Sequence, residues 1–100
     1  MEIKNCAAIV SGGGSGMGAA TAKMLSAAGA KVALFDINLT AAKKVAAELN
    51  CLAIECDVTQ EDSVKKAIET AQIRQGPARI CINCAGVVKG KRMIGQEGPL

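Results

Sequence analysis

Between Ser11 and Gly18 the chain reads Ser-Gly-Gly-Gly-Ser-Gly-Met-Gly. An apolar run, Ala7 to Val10, precedes it and an Ala-rich segment of helical composition follows it, so the glycines fall where a strand turns into a helix. A turn that tight needs backbone angles closed to residues with a side chain, and a missing Cβ lets a ligand approach the main chain. The N–H groups of a helix's first turn have no intrahelical partner and carry the positive end of its dipole. The chemistry of such a stretch is the binding of an anion, typically a phosphate. Two acids belong with it. Asp36 closes the next apolar run about 20 residues past the loop, where a carboxylate can accept from both hydroxyls of an adenosine ribose. Asp57-Val58 and Asn83-Cys84-Ala85-Gly86 end two further apolar runs, at the sheet edge where open α/β folds bind ligands.

The elements that position these residues follow from the apolar pattern. Ala7 to Val10 reads as a strand buried on both faces. Gly16 to Ala28 reads as a helix with Met17, Met24, Leu25 and Ala28 on a buried side and Gly29 as its C-terminal cap. Lys31 to Asp36 is the second strand. Asn38 or Thr40 caps a helix reaching Leu49, with Leu39, Ala42, Val45, Ala46 and Leu49 at core-facing spacing and Asn50 as its stop. Cys51 to Glu55 is the third strand. Thr59 is placed as the N-cap of the next helix, whose first turn holds Glu61 and Asp62 and whose Val64, Ile68 and Ala71 share a face. Gly76-Pro77 ends it, Arg79 to Asn83 is the fourth strand, and Val87 to Leu100 has no period and reads as a loop. The order β-α-β-α-β-α-β predicts an α/β fold, a Rossmann-like doubly wound parallel sheet with helices on both faces. All 100 residues form one such segment.

Composition narrows the function. Half of the residues are hydrophobic, yet Phe35 is the only aromatic, so the core is aliphatic and no base-stacking platform for nucleic acid is present. The formal charge is +3, spread out except for Lys89, Lys91 and Arg92, which read as a solvated loop face or a guide for an anionic substrate. No apolar run approaches the roughly 20 residues that span a bilayer, and Glu2 and Lys4 do not open a signal peptide. The cytoplasm or an organelle matrix, such as that of the mitochondrion, is the expected location. The five cysteines are an odd set scattered through the strands, unlike a disulfide framework. Cys81 and Cys84 form a C-x-x-C, but residues three apart on a strand face opposite ways, so their sulfurs diverge from any shared metal.

Two phosphate loops compete for the glycine stretch. Gly13 and Gly18 have the spacing of G-x-x-x-x-G-K-[ST], but Ala19 stands where that motif needs lysine, which leaves nothing to reach a β- or γ-phosphate. A dinucleotide remains. An NADP 2′-phosphate beside Asp36 would face a like charge, and neither Gly13, Gly14 nor Ile37 offers a basic partner, so NAD is the expected cofactor.

With these motifs in place the chain resembles the short-chain dehydrogenase/reductase family over residues 5 to 90. Ser11 to Gly18 matches its T-G-x-x-x-G-x-G with serine for threonine, and either hydroxyl can brace the turn. Asp57-Val58 matches the pair that ends its third strand, one residue of which contacts the adenine amino group. Asn83-Cys84-Ala85-Gly86 matches N-N-A-G with cysteine second, beside the adenosine ribose. Cys84, the run Val-Val-Lys-Gly-Lys-Arg and the ending Glu97-Gly98-Pro99-Leu100 are most similar to the type 2 3-hydroxyacyl-CoA dehydrogenase branch. The resemblance implies that Gly12 lets the chain turn, Gly16 allows close approach of the pyrophosphate, Gly18 lets helix and strand pack, and Ser15 and Met17 supply local contacts. Ile37 lies beside Asp36 in the same site.

The resemblance also implies hydride transfer between NAD(H) and the carbon of a small alcohol or ketone, which could be an acyl-CoA, in a homo-oligomer, dimer or tetramer. The acid/base tyrosine and its lysine belong in this family to a Y-x-x-x-K segment beyond residue 100, and this sequence contains no tyrosine or histidine. The expectation is therefore the cofactor-binding part of a longer dehydrogenase, inactive alone, whose fourth strand would be central in the full fold. The rival is a non-catalytic dinucleotide-binding or regulatory module.

Overall fold

The computed structural model describes residues 3–12, 14 and 16–84. Seven elements alternate: β1 (Ala7–Ser11), α1 (Gly16–Ala27), β2 (Lys31–Asp36), α2 (Leu39–Leu49), β3 (Leu52–Glu55), α3 (Glu61–Gln75) and β4 (Ala78–Asn83). All three strand pairings are parallel, and the sheet order is β3-β2-β1-β4. The chain therefore winds outward from β1 through β2 to β3, then crosses back to place β4 on the other side of β1. Right-handed crossovers in opposite directions put their helices on opposite faces. Accordingly α1 and α2 cover one face and α3 the other, and the reversal leaves a switch point between the carboxyl ends of β1 and β4.

The two faces follow the period of two along the strands. Ala8, Val10, Val32 and Leu34 meet Ala22 and Leu25 of α1 and Ala42 and Ala46 of α2. Ile9, Ala33 and Phe35 meet Ala67 and Ala71 of α3, with Cys56. Five of the six buried helix residues in these two clusters are alanines, so the helices offer methyl groups and the sheet supplies bulk. This lets helix backbones sit close to the sheet, which is how a chain with one aromatic residue fills its core.

Several boundaries and faces differ from the expectations. On α1 the buried residues are Gly18, Ala22 and Leu25, spaced i, i+4, i+7, whereas Met17 and Met24 are 73% and 74% exposed and Ala28 is exposed as well. Two of the three buried residues are small, so the helix sits close to the sheet, and the methionines are rotated away from it. Thr59 is not the cap of α3: the N-cap position is Gln60, with no side-chain cap bond. The Thr59 amide and hydroxyl instead both donate to Asp57 Oδ1, a local turn that competes with capping. Smaller shifts move the start of β3 to Leu52, the end of β1 to Ser11 and the start of β4 to Ala78.

Other expectations are met. Asn38 Oδ1 accepts from the Ala41 amide at α2's start, and Asn50 closes it in the left-handed conformation. Gly29, at φ +94°, ends α1, with its amide donating to Ser26 O at 3.0 Å. Gly76, at φ +87°, ends α3 with a bond to Gln72 O. Val64 and Ile68 pack beside Ala67 and Ala71 on the α3 face. Cys81 packs on the α3 side and Cys84 on the α1/α2 side, so the two sulfurs diverge. No helix among the described residues is long and apolar enough to cross a membrane. The loop expected from Val87 to Leu100, with Lys89, Lys91 and Arg92, lies outside the described residues.

Candidate functional site

Strand register brings the chemistry to one level. Ser11 pairs with Phe35 on one side and with Asn83 on the other, and Asp36 pairs with Glu55, so the carboxyl ends of all four strands finish together. The switch point is tied shut beneath the site. The buried Ser11 hydroxyl donates to Asn83 Oδ1 at 2.9 Å, with Ile82 O at 3.4 Å, and the Cys84 amide donates to Ser11 O at 2.8 Å. The brace made by this serine therefore runs from strand to strand. Cys84 Sγ also lies 3.8 Å from the Thr21 hydroxyl of α1.

The described glycines of the loop differ in their surroundings. Gly12 sits at φ +76°, a conformation that L side chains rarely adopt, and its amide donates to Phe35 O at 2.7 Å. Gly14 has no room for a side chain: a Cβ there would lie 2.8 Å from both Ala41 Cβ and Asp36 Oδ2. Gly16 opens α1, and a Cβ on it would meet nothing within 4 Å. Gly18 is buried under the helix. No acid stands in the first turn of α1, in contrast to Glu61 and Asp62 in that of α3, so α1 carries no acid of its own to offset the positive end of its dipole.

Across the sheet edge, Asp36 is held from two directions. Its Oδ2 accepts the Gly14 amide at 2.8 Å and its Oδ1 accepts the Asn38 amide at 2.9 Å. Ile37 is 64% exposed beside it. On the next strand end, the Asp57 amide donates to Ser63 Oγ at 2.9 Å, while Asp57 Oδ1 takes the Thr59 hydroxyl at 2.6 Å and the Thr59 amide at 3.0 Å. These donors, the hydroxyl foremost, hold the Asp57 carboxyl below the usual carboxylate range, against a small opposing desolvation. Burial pushes the Cys56 thiol up; the Ser63 hydrogen bond offsets part of that and the Asp57 charge adds to it. Cys56 therefore stays a protonated thiol near neutral pH, and thiols in that state are poor nucleophiles.

The Asp57 shift has a testable sign. A depressed native pKa means that this group's stabilisation is present above the ordinary aspartate range and is lost as pH falls through the native value. In a carboxyl NMR titration, Thr59→Val is expected to move the Asp57 midpoint upward toward that of free aspartate. An unmoved midpoint would show that Thr59 is not the cause.

Gly12, Phe35, Asp36, Ile37, Cys56, Asp57, Val58, Thr59 and Cys84 line a single cleft of about 410 Å³. Six of the residues singled out from sequence, Gly12, Asp36, Ile37, Asp57, Val58 and Cys84, thus meet in one place. Gly16, Met17 and Gly18 stand on the first turn of α1 and do not line it; Met17 is turned to solvent. Ser15, Ala85 and Gly86 lie outside the described residues. Sequence reasoning missed Gly14, the Ser11–Asn83 bond and Thr59. The spacing Asp-x-Thr, a signature of side-chain turns, could have flagged Thr59. The surplus glycine at an unspecified motif position could have flagged Gly14. Among the described residues, no group of three or more His, Cys, Asp or Glu side chains could hold a metal ion.

A parallel sheet with this order and this loop narrows the family, and residues 6–97 match the family model described as short chain dehydrogenase. The chain belongs to the short chain dehydrogenase family. Among curated members, this chain is 41% identical over 86 residues to the 3-hydroxyacyl-CoA dehydrogenase type-2 of Drosophila melanogaster, covering 84% of this chain and 34% of the relative. It is 36% identical over 88 residues to the human protein of the same name, covering 86% of this chain and again 34% of the relative. Among solved structures, the 3-ketoacyl-(acyl-carrier-protein) reductase of Brucella melitensis complexed with NADH aligns with a TM-score of 0.77 at 33% identity, over 79% of this chain and 34% of that one. The chain thus spans about a third of the length of the curated relatives it matches. What this chain shares with the solved structure is the Rossmann-like parallel sheet with alternating helices.

Proposed function

We propose that the cleft at the carboxyl edge of the sheet binds NAD(H), and that the chain is the cofactor-binding part of an NAD-dependent short-chain dehydrogenase acting on a CH–OH group. The observation that carries this reading is the convergence of the Gly12 turn, Asp36 and Asp57-Val58 on one cleft beside the switch point. Gly16 supports it independently. Its Cβ position is open among the described residues, so none of them demands glycine there, whereas a pyrophosphate against the first turn of α1 would. The residues present fit the cofactor. In this reading the first turn of α1 at Gly16 and Met17, with Ser15 before it, would take the phosphates, Asp36 would accept from the adenosine ribose with Ile37 beside it, Asp57 and Val58 would meet the adenine, and Cys84, with Ala85 and Gly86 after it, would contribute beside the ribose.

When bound, NAD supplies the hydride acceptor. The share of this chain's residues is to hold and orient the cofactor and to shield it from water. The reacting partner is a secondary alcohol or the matching ketone, and the identity to 3-hydroxyacyl-CoA dehydrogenase type-2 from two animals favours a 3-hydroxyacyl-CoA or a related alcohol. Catalytic acid/base residues and the contacts of a homo-oligomer belong to the remaining two-thirds of such a protein.

Cofactor choice tests the reading. At about 5 Å, a 2′-phosphate charge and the Asp36 carboxylate repel by on the order of 1–3 kcal/mol, depending on solvent screening. NADPH is therefore expected to bind roughly ten- to hundredfold more weakly than NADH when both are titrated by the quenching or enhancement of nicotinamide fluorescence. Asp36→Ala, which removes a charged acceptor, should weaken NADH by a similar factor. Equal affinity for the two cofactors, or an unchanged NADH dissociation constant in Asp36→Ala, would remove the assignment.

A further inference from the structure

We propose that Asp36 is also a positioning residue for the glycine loop: its carboxylate fastens Gly14 to the end of β2, so that the acid expected to select NAD also builds the phosphate-facing turn. The ribose half of this statement rests on the reading above; the loop half does not. Asp36 Oδ2 accepts the Gly14 amide at 2.8 Å across 22 residues of chain, and Oδ1 accepts the Asn38 amide at 2.9 Å. One donor on each oxygen, arriving from two different segments, fixes the plane of the carboxylate. Each bond is charge-assisted and so stronger than a neutral one.

Steric fit points to the same role. A Cβ on Gly14 would lie 2.8 Å from Oδ2, 2.8 Å from Ala41 Cβ and 3.1 Å from the Ala41 carbonyl carbon. The loop is therefore seated against both the carboxylate and the first turn of α2. The Asp36 side chain could swing away only by releasing the amide, and the Ala41 backbone, inside a capped helix, cannot yield. Glycine at position 14 is explained by this contact alone, with no ligand needed. The arrangement also leaves room for the ribose, because each carboxylate oxygen has a second lone pair once its amide is accounted for.

The consequence is a coupling between specificity and architecture. Removing the Asp36 charge takes away the repulsion against a 2′-phosphate, and a simple charge argument would have NADPH affinity rise. If the same carboxylate holds the loop, the phosphate-facing amides lose their anchor in the same variant and the gain is cancelled. A change of cofactor at this site then needs a replacement anchor for Gly14 as well as a new charge.

The test compares the wild-type chain with Asp36→Ala and Gly14→Ala. In the cofactor-free state, Asp36→Ala is expected to speed hydrogen exchange at the Gly14 amide by roughly tenfold or more, the factor that loss of a charge-assisted bond implies. Its NADPH dissociation constant is expected to stay within about threefold of wild type, since the anchor and the repulsion disappear together. Gly14→Ala, which keeps the carboxylate, should weaken NADH about tenfold by displacing the loop. Unchanged Gly14 exchange in Asp36→Ala, or a tenfold gain in its NADPH affinity, would overturn the proposal. Should Gly14→Ala fail to fold, the Asp36→Ala measurements decide alone. Should the wild-type chain not bind NADH, the functional reading fails while the exchange measurement still decides the tie.

Discussion

Gly16→Ala is expected to cost the chain most of its NADH affinity while leaving its thermal stability unchanged or slightly raised. The two halves of that result come from the same geometry. A methyl group on Gly16 meets nothing among the described residues, and alanine is the better helix former, so this part of the fold has no reason to object. In the proposed complex the same methyl stands where the pyrophosphate approaches the first turn of α1, and forcing an atom into a filled contact costs about 1–3 kcal/mol. That corresponds to roughly a five- to more than hundredfold rise in the dissociation constant. Parallel melting curves and NADH titrations check it. A melting temperature that falls together with affinity would mean that Gly16 is structural. Affinity retained in full would mean that the phosphates lie elsewhere.

The second large effect is on stability. Phe35 is fully buried, the largest side chain in the core, and packs with Ile9, Ala33, Cys56, Ala67 and Ala71 between the sheet and α3. Those neighbours are mostly too small to collapse into the space it would leave. Phe35→Ala is therefore expected to cost about 3–5 kcal/mol, against total stabilities of roughly 5–15 kcal/mol for ordinary domains. Because the Phe35 carbonyl also receives the Gly12 amide, loosening β2 here would reach the loop. Urea denaturation should show a strongly lowered midpoint for Phe35→Ala and a much smaller change for Phe35→Leu, which keeps most of the volume. Similar, small losses for both variants would contradict this account of the core.

Much of this architecture was legible in the sequence because its signals are local. The apolar runs mark the four strands to within one residue, and Asn50, Gly29 and Gly76 announce helix ends by their own backbone needs. The sheet order was not legible, since nothing local states that β4 returns to the far side of β1. What was misread depends on distance in space. Met17 and Met24 have the right spacing for a buried face, but how closely α1 approaches the sheet decides that only Gly18, Ala22 and Leu25 fit beneath it. Thr59 looks like a cap until Asp57, two residues earlier, takes both its donors. The role of Gly14 depends on Asp36 and Ala41, which lie 22 and 27 positions further along; no pattern around Gly14 itself contains it.

The candidate site divides the same way. Asp36 and Asp57-Val58 could be chosen from sequence because strand ends are where such folds put ligands. That these residues share a single cleft with Gly12 and Cys84 follows from the register, which sets Ser11, Phe35 and Asn83 side by side. Cys56 also lines the cleft, yet its burial and raised pKa make it part of the wall.

The most direct test of the central claim, that this cleft is where the nicotinamide cofactor sits, is an amide NMR titration of the chain with NADH. Saturable shift changes are expected at Gly12, Gly14, Gly16, Ile37, Val58 and Cys84, with the amino edge of the sheet around Lys4, Gln75 and Arg79 unaffected. Changes centred on that opposite edge, or none at saturating NADH, would contradict it.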